Sequence, residues 1–147
     1  MKRGFTVLET IVIIAVLAFL FVFTVPKFMT LVHKSQEGST KHQLMRVRNA
    51  IAAYYGENQG VYPTDDLSSL VPQFIEKIPQ ARLPGYAPSA HVSTGNFETA
   101  FTKTGGWAYV NDPADPRFGD FFVNSDEEDS YGKAWYTHSR YRAKPAV

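Results

Sequence analysis

Hydrophobic and polar positions along the 147-residue chain fall into three regimes. From Phe5 to Pro26 the sequence is apolar apart from its threonines and a single charge, Glu9. As a helix rising about 1.5 Å per residue, this stretch reaches about 33 Å, the hydrocarbon thickness of a bilayer. From Phe28 the pattern turns amphipathic: Phe28, Leu31, Val32, Leu44, Val47, Ile51, Tyr54 and Tyr55 recur at helical spacing, while Lys41, Arg46, Arg48 and Asn49 face elsewhere. Together the two regimes predict one helix from Phe5 to Asn58, roughly 80 Å long. Gly38 weakens it by about 1 kcal/mol relative to alanine, and Asn58-Gln59-Gly60 ends it with glycine in a left-handed conformation. So small a protein cannot cover such a helix, so the first half needs lipid or other subunits around it.

The third regime has short periods broken by Pro and Gly. Tyr62-Pro63 forces an extended exit, Thr64 is placed to cap a short helix, and Leu67, Leu70 and Val71 offer one apolar face to the long helix. Phe74, Ile75 and Ile78 extend that packing up to Pro79. Residues 80–104 read as a surface loop with one short strand near Asn96 to Phe101. Two strands follow, around Trp107 to Asn111 and Phe118 to Asn124, with Trp107 and Tyr109 pointing inward. A third strand is expected at Lys133 to Tyr136, and the fold class is α+β: a long N-terminal helix packed against a small C-terminal antiparallel sheet.

Three readings compete for the N-terminal segment. A discarded secretory signal needs a small-x-small cleavage site after its apolar run, and Val25-Pro26-Lys27-Phe28 offers none. A plain signal anchor is consistent with Lys2 and Arg3 ahead of the helix, by the positive-inside rule, but leaves Glu9 unexplained. A carboxylate at that depth costs roughly 2.5–3.5 kcal/mol, which makes it a functional residue in need of a partner. Cleavage between Gly4 and Phe5 creates one: a cationic amine on Phe5, able to lie beside the Glu9 of a neighbouring copy in a helical stack.

Arg3-Gly4-Phe5-Thr6-Val7-Leu8-Glu9, the apolar run and Pro26 resemble the signature of type IV prepilins and pseudopilins. The resemblance implies a peptidase cut after Gly4, methylation of the new N-terminal Phe5, a recruiting role for Glu9, and the pilin fold. It divides the chain into a leader at 1–4, a transmembrane and polymerisation helix at 5–26, the amphipathic half of that helix at 27–60, and a globular head at 61–147. Pro26 removes one helical hydrogen bond, and a bend or local melting between Ala18 and Pro26 is expected in a packed filament. The run from Tyr54-Tyr55 through Asn58, Gly60, Tyr62-Pro63, Leu67 and Leu70 further resembles the major pseudopilins of type II secretion. That favours a short periplasmic pseudopilus, with a long surface fibre for adhesion, motility or DNA uptake as the alternative; the chain has no Cys, so the C-terminal Cys pair habitual in fibre pilins is missing. The partners implied are further copies of the chain, a prepilin peptidase, an inner-membrane assembly platform and minor pilins or pseudopilins. The location implied is the bacterial inner membrane, crossed once, with Met1 to Gly4 cytoplasmic and the head periplasmic. A membrane-tethered monomeric binding domain is the reading from another class.

Composition narrows the chemistry. Fifteen basic residues against 14 acidic ones argue against a polyelectrolyte partner such as nucleic acid, and loss of Lys2 and Arg3 leaves 13 against 14. With no cysteine there is no disulfide and no thiolate site. His33, His42, His91 and His138 lack metal-ligand spacing and read as surface residues, and no catalytic motif is present. The acidic run Asp126, Glu127, Glu128, Asp129 is the one candidate metal site, hard oxygens in a loop suiting Ca²⁺. Major pseudopilins carry a Ca²⁺ in the corresponding loop, which transfers the ligand role to Asp126, Asp129 and Ser130.

Overall fold

The computed structural model describes residues 6–138. The chain divides into two compact units, Met1–Ser35 and Gln36–Val147. Helix α1, Val7–Glu57, contributes to both. Thr6 starts it: its Oγ1 accepts from the Glu9 N–H at 3.2 Å, which satisfies one of the unpaired donors of the first turn. The helix is unbroken through Pro26, so the melting expected in a packed filament is absent from the single chain. One missing i→i−4 bond does not end a ladder that continues for several turns on both sides. At the far end Gly60, with φ +82°, donates to the Tyr55 carbonyl at 3.0 Å, the expected glycine cap, with Gln59 also left-handed.

In the unit Gln36–Val147 the inward stripe of α1 is Glu37, Thr40, Leu44, Val47, Ala50 and Ile51, all buried. It packs on a three-stranded sheet of order β1 (Val92–Gly95), β2 (Trp107–Val110) and β3 (Phe121–Val123). Strand periodicity sends Trp107, Tyr109, Phe121 and Val123 to the core with Leu44, Val47 and Ile51. Ala108, Val110 and Phe122 point the other way, into a second cluster with Ala100, Phe97 and Phe101. Both sheet faces are therefore covered, and each fully buried large side chain contributes about 1.5–3 kcal/mol.

The sheet is mixed and not antiparallel. β2 and β3 pair antiparallel as expected, with Trp107 opposite Val123, but β1 runs parallel to β2, with Val92 opposite Trp107. Parallel neighbours need a crossover, and the short helix α2, Phe97–Ala100, supplies it. The strand expected over Asn96 to Phe101 therefore lies earlier, at Val92–Gly95. Asn96 is a helix N-cap, its Oδ1 accepting from the Thr99 N–H at 2.9 Å, and Phe97, Ala100 and Phe101 fall at i, i+3 and i+4 on one face.

The segment between helix and sheet also departs from expectation. Asp65 organises the turn that Thr64 was expected to cap: its carboxylate accepts from the N–H groups of Leu67 and Ser69 and the hydroxyls of Ser68 and Ser69. Leu67 and Leu70 are buried and Val71 is exposed. Residues 80–104 are more than surface loop, because Ala81 and Leu83 enter the core and Ala81 bridges Ser89. Polar tips of core aromatics hold this segment down, Trp107 Nε1 donating to the Pro79 carbonyl and the Tyr109 hydroxyl to the Pro63 carbonyl, each at 2.7 Å. The third strand expected at Lys133 to Tyr136 is a lone bridge, Glu128 to Ala134, followed by a 3₁₀ turn at Trp135–His138. Trp135 fills the main core and Tyr136 the second cluster, a two-sided anchorage that a turn achieves.

Candidate functional site

Two regions carry the candidate residues. In the first unit the described part of α1 is exposed throughout its apolar length, from Val7 at 79 % to Leu31 at 64 %. An 18-residue window of α1 has mean hydropathy 2.7 with none of it buried, so the helix is long and apolar enough to cross a membrane. Glu9 stands in the first turn, where a negative charge complements the helix dipole, and no described basic residue forms an ion pair with it. Gly4 and Phe5 lie outside the described residues. Pro26 is surrounded by exposed apolar side chains, and its carbonyl accepts from the Thr30 hydroxyl at 3.1 Å.

The second region is the C-terminal loop against α1, within the unit Gln36–Val147. The Asp129 side chain is 1 % exposed, and Lys41 Nζ reaches its Oδ2 at 2.6 Å. Its Oδ1 accepts from the N–H groups of Tyr131 and Lys133 at 2.9 and 3.0 Å, and His138 Nε2 lies 3.1 Å from Oδ2. The Lys41 ammonium also sits over the rings of Tyr131 and Trp135, at 5.1 and 5.4 Å from their centroids. One helical turn earlier, the buried Glu37 carboxylate accepts from the Ser130 N–H at 3.0 Å and the Ser130 hydroxyl at 2.8 Å. Arg48 continues the line, its guanidinium donating to the carbonyls of Phe121 and His138. Glu37, Lys41 and Arg48 thus clamp the loop to the helix.

Electrostatics follow from that geometry. Burial alone pushes the Asp129 carboxyl up, but the Lys41 ammonium and the two backbone donors outweigh it and hold the group well below the usual carboxylate range. Burial and the nearby Lys133 lower the His138 imidazole, against the opposing pull of Asp129. His138 is therefore a half-buried member of the cluster and not the surface residue expected from its spacing.

Asp126, Asp129 and Ser130 do not come together. The exposed Asp126 carboxylate pairs with Lys103 at 2.9 Å, Asp129 takes Lys41, and Ser130 serves Glu37. Each of the three expected Ca²⁺ ligands therefore has its own protein partner, and the Lys41 ammonium lies against the buried Asp129 carboxylate. Among the described residues no three His, Asp or Glu side chains form a metal set. Lys41 and Glu37 are functional-looking residues that motif reading missed, yet a signal existed. Glu37 stands on the stripe continued by Leu44 and Ile51, and a carboxylate on a buried stripe needs a partner. No protein-family model, curated protein or solved structure matches the chain.

Proposed function

We propose that the chain is a prepilin-type subunit of a helical, membrane-anchored filament, cut before Phe5 and assembled through its N-terminal helix. The observation that carries this reading is the long, wholly exposed apolar stretch of α1 with a lone carboxylate in its first turn, directly after Gly4-Phe5. A helix apolar all round must be clothed by lipid or by other helices, and Glu9 with a freed Phe5 amine from the next copy supplies charge neutralisation and axial register. The segment from Tyr54 to Leu70 favours a type II secretion pseudopilus over a long surface fibre. The subunit sits in the bacterial inner membrane with its head outside the cytoplasm until the assembly platform extracts it.

One observation favours a plain tethered domain instead: Thr6 and Glu9 have the spacing of a helix-starting capping box, and the Glu9 N–H donates to Thr6 Oγ1, so an acidic residue suits this helix start without a filament. Glu9→Gln separates the two, because glutamine preserves the cap and removes the charge. N-terminal sequencing and intact mass of protein from cells carrying a prepilin peptidase come first. A chain beginning at Phe5, with assembly lost and insertion intact in Glu9→Gln, supports the filament; a chain still beginning at Met1 overturns it.

A further inference from the structure

The unit Gln36–Val147 carries a basic groove on the flank of α1 away from the C-terminal loop. Its cavity is about 570 Å³, lined by Ser39, Gln43 and Arg46 of the helix and by Glu76, Lys77 and Arg82 of the segment that follows. That volume is in the range of a binding cleft. Three cations face one carboxylate there, and among the described residues none of Arg46, Lys77 and Arg82 forms an ion pair. Among the described residues, Arg46 is held by the Gln43 side-chain oxygen at 3.1 Å. The opposite charge is displayed by Asp126, Glu127 and Glu128, all exposed, of which only Asp126 is ion-paired among the described residues. Their loop is fixed by the Asp129–Lys41 and Ser130–Glu37 contacts and by the Glu128–Ala134 bridge, so the acids are presented in a set position.

The two surfaces lie on different sides of one helix. At 100° per residue, Lys41 and Arg48, which hold the acidic loop, stand about 50° to one side of Leu44, while Gln43, Ser39 and Arg46 stand about 100–160° to the other. A rigid head cannot place its own loop in its own groove. A second copy can, and a contact between unlike surfaces propagates head to tail, giving an open helical array where the rotation does not close.

We propose that this groove receives the acidic 126–128 loop of a second copy of the chain, a heterologous contact between neighbouring globular units that rests on the filament reading and sets their order along it. The chain has no cysteine, which allows clean cross-linking of the full-length protein in membranes. A Gln80→Cys, Glu128→Cys double variant is expected to give a ladder of dimers, trimers and higher species under oxidising, non-reducing conditions, while either single variant stops at dimers. Arg82→Glu should lower ladder yield about tenfold, and adding Glu127→Arg should restore it, as expected when one interfacial charge pair is reversed and then re-formed. A chain beginning at Phe5 that forms filaments but gives no ladder overturns the groove contact and leaves the filament reading standing. Ladders unaffected by Arg82→Glu and by high salt also overturn it, since a charge contact is screened. A ladder from a chain still beginning at Met1 would keep the contact and remove the filament.

Discussion

Lys41→Met tests whether the ammonium on Asp129 holds the C-terminal loop to the helix. Methionine keeps an apolar stem against Tyr131 and Trp135 and removes only the charge. Asp129, 1 % exposed, then loses a 2.6 Å charge-assisted hydrogen bond. Removing one partner of a fully buried pair costs about 3–5 kcal/mol, and a hydrogen bond to a charged group is worth about 1.5–3 kcal/mol. The Lys41 side chain is 31 % exposed, so water replaces part of the interaction, and two backbone donors and His138 remain on the carboxylate. The expected loss is about 2 kcal/mol, or roughly 8–16 °C in melting temperature for a domain near 100 residues. Near-ultraviolet circular dichroism of the full-length chain in detergent reads it through the buried Trp107 and Trp135. The sign of the pH dependence is a second check. A carboxyl held below its unfolded value stabilises the fold above the ordinary carboxylate range and loses that contribution as pH falls. Without the ammonium its folded value rises, so acid unfolding moves to higher pH. A melting shift below about 3 °C, or losses that add in full when Lys41→Met and Asp129→Asn are combined, would refute a coupled pair.

Gly38→Ala should raise stability by about 1 kcal/mol, because a Cβ there meets nothing within 4 Å; denaturant titration of the head reads the gain. Gly119→Ala should cost about 2–4 kcal/mol in the same titration, since Gly119 has φ +84° and its Cβ would lie 2.5 Å from the Tyr62 ring. His138 is lowered in the fold, so below pH about 6.5 the unfolded chain takes up a proton first and stability falls until the folded imidazole is also charged. His138→Asn should flatten that part of the profile, measured by melting at a series of pH values. Chelation with EDTA should leave melting unchanged; a fall would show a divalent ion bound to the folded state.

Long periodic patterns were legible and short ones were not. The apolar run, the stripe through Leu44, Val47 and Ile51, and the glycine stop at Gly60 repeat one message over many residues. The crossover at Phe97–Ala100 is four residues long, flanked by aromatic and polar residues that suit a strand equally well. Only the cap on Asn96 marked it, and the parallel pairing it enables depends on contacts distant in sequence. Asp129 and Lys41 are 88 residues apart, so no local spacing could reveal the pair; what spacing did reveal was an acidic loop, which suggested a metal. At Trp135 the two core layers compete for neighbouring side chains, and a turn serves both where a strand was expected.

The Arg48 guanidinium, described above as one jaw of a clamp, also occupies the margin of the sheet. Among the described residues β3 pairs only with β2, and the Phe121 carbonyl receives two donors from Arg48. A cation planted on a border strand denies a foreign backbone the acceptor it would need to zip on. In any setting that crowds copies of this domain together, that occupied acceptor works against edge-to-edge pairing of their sheets.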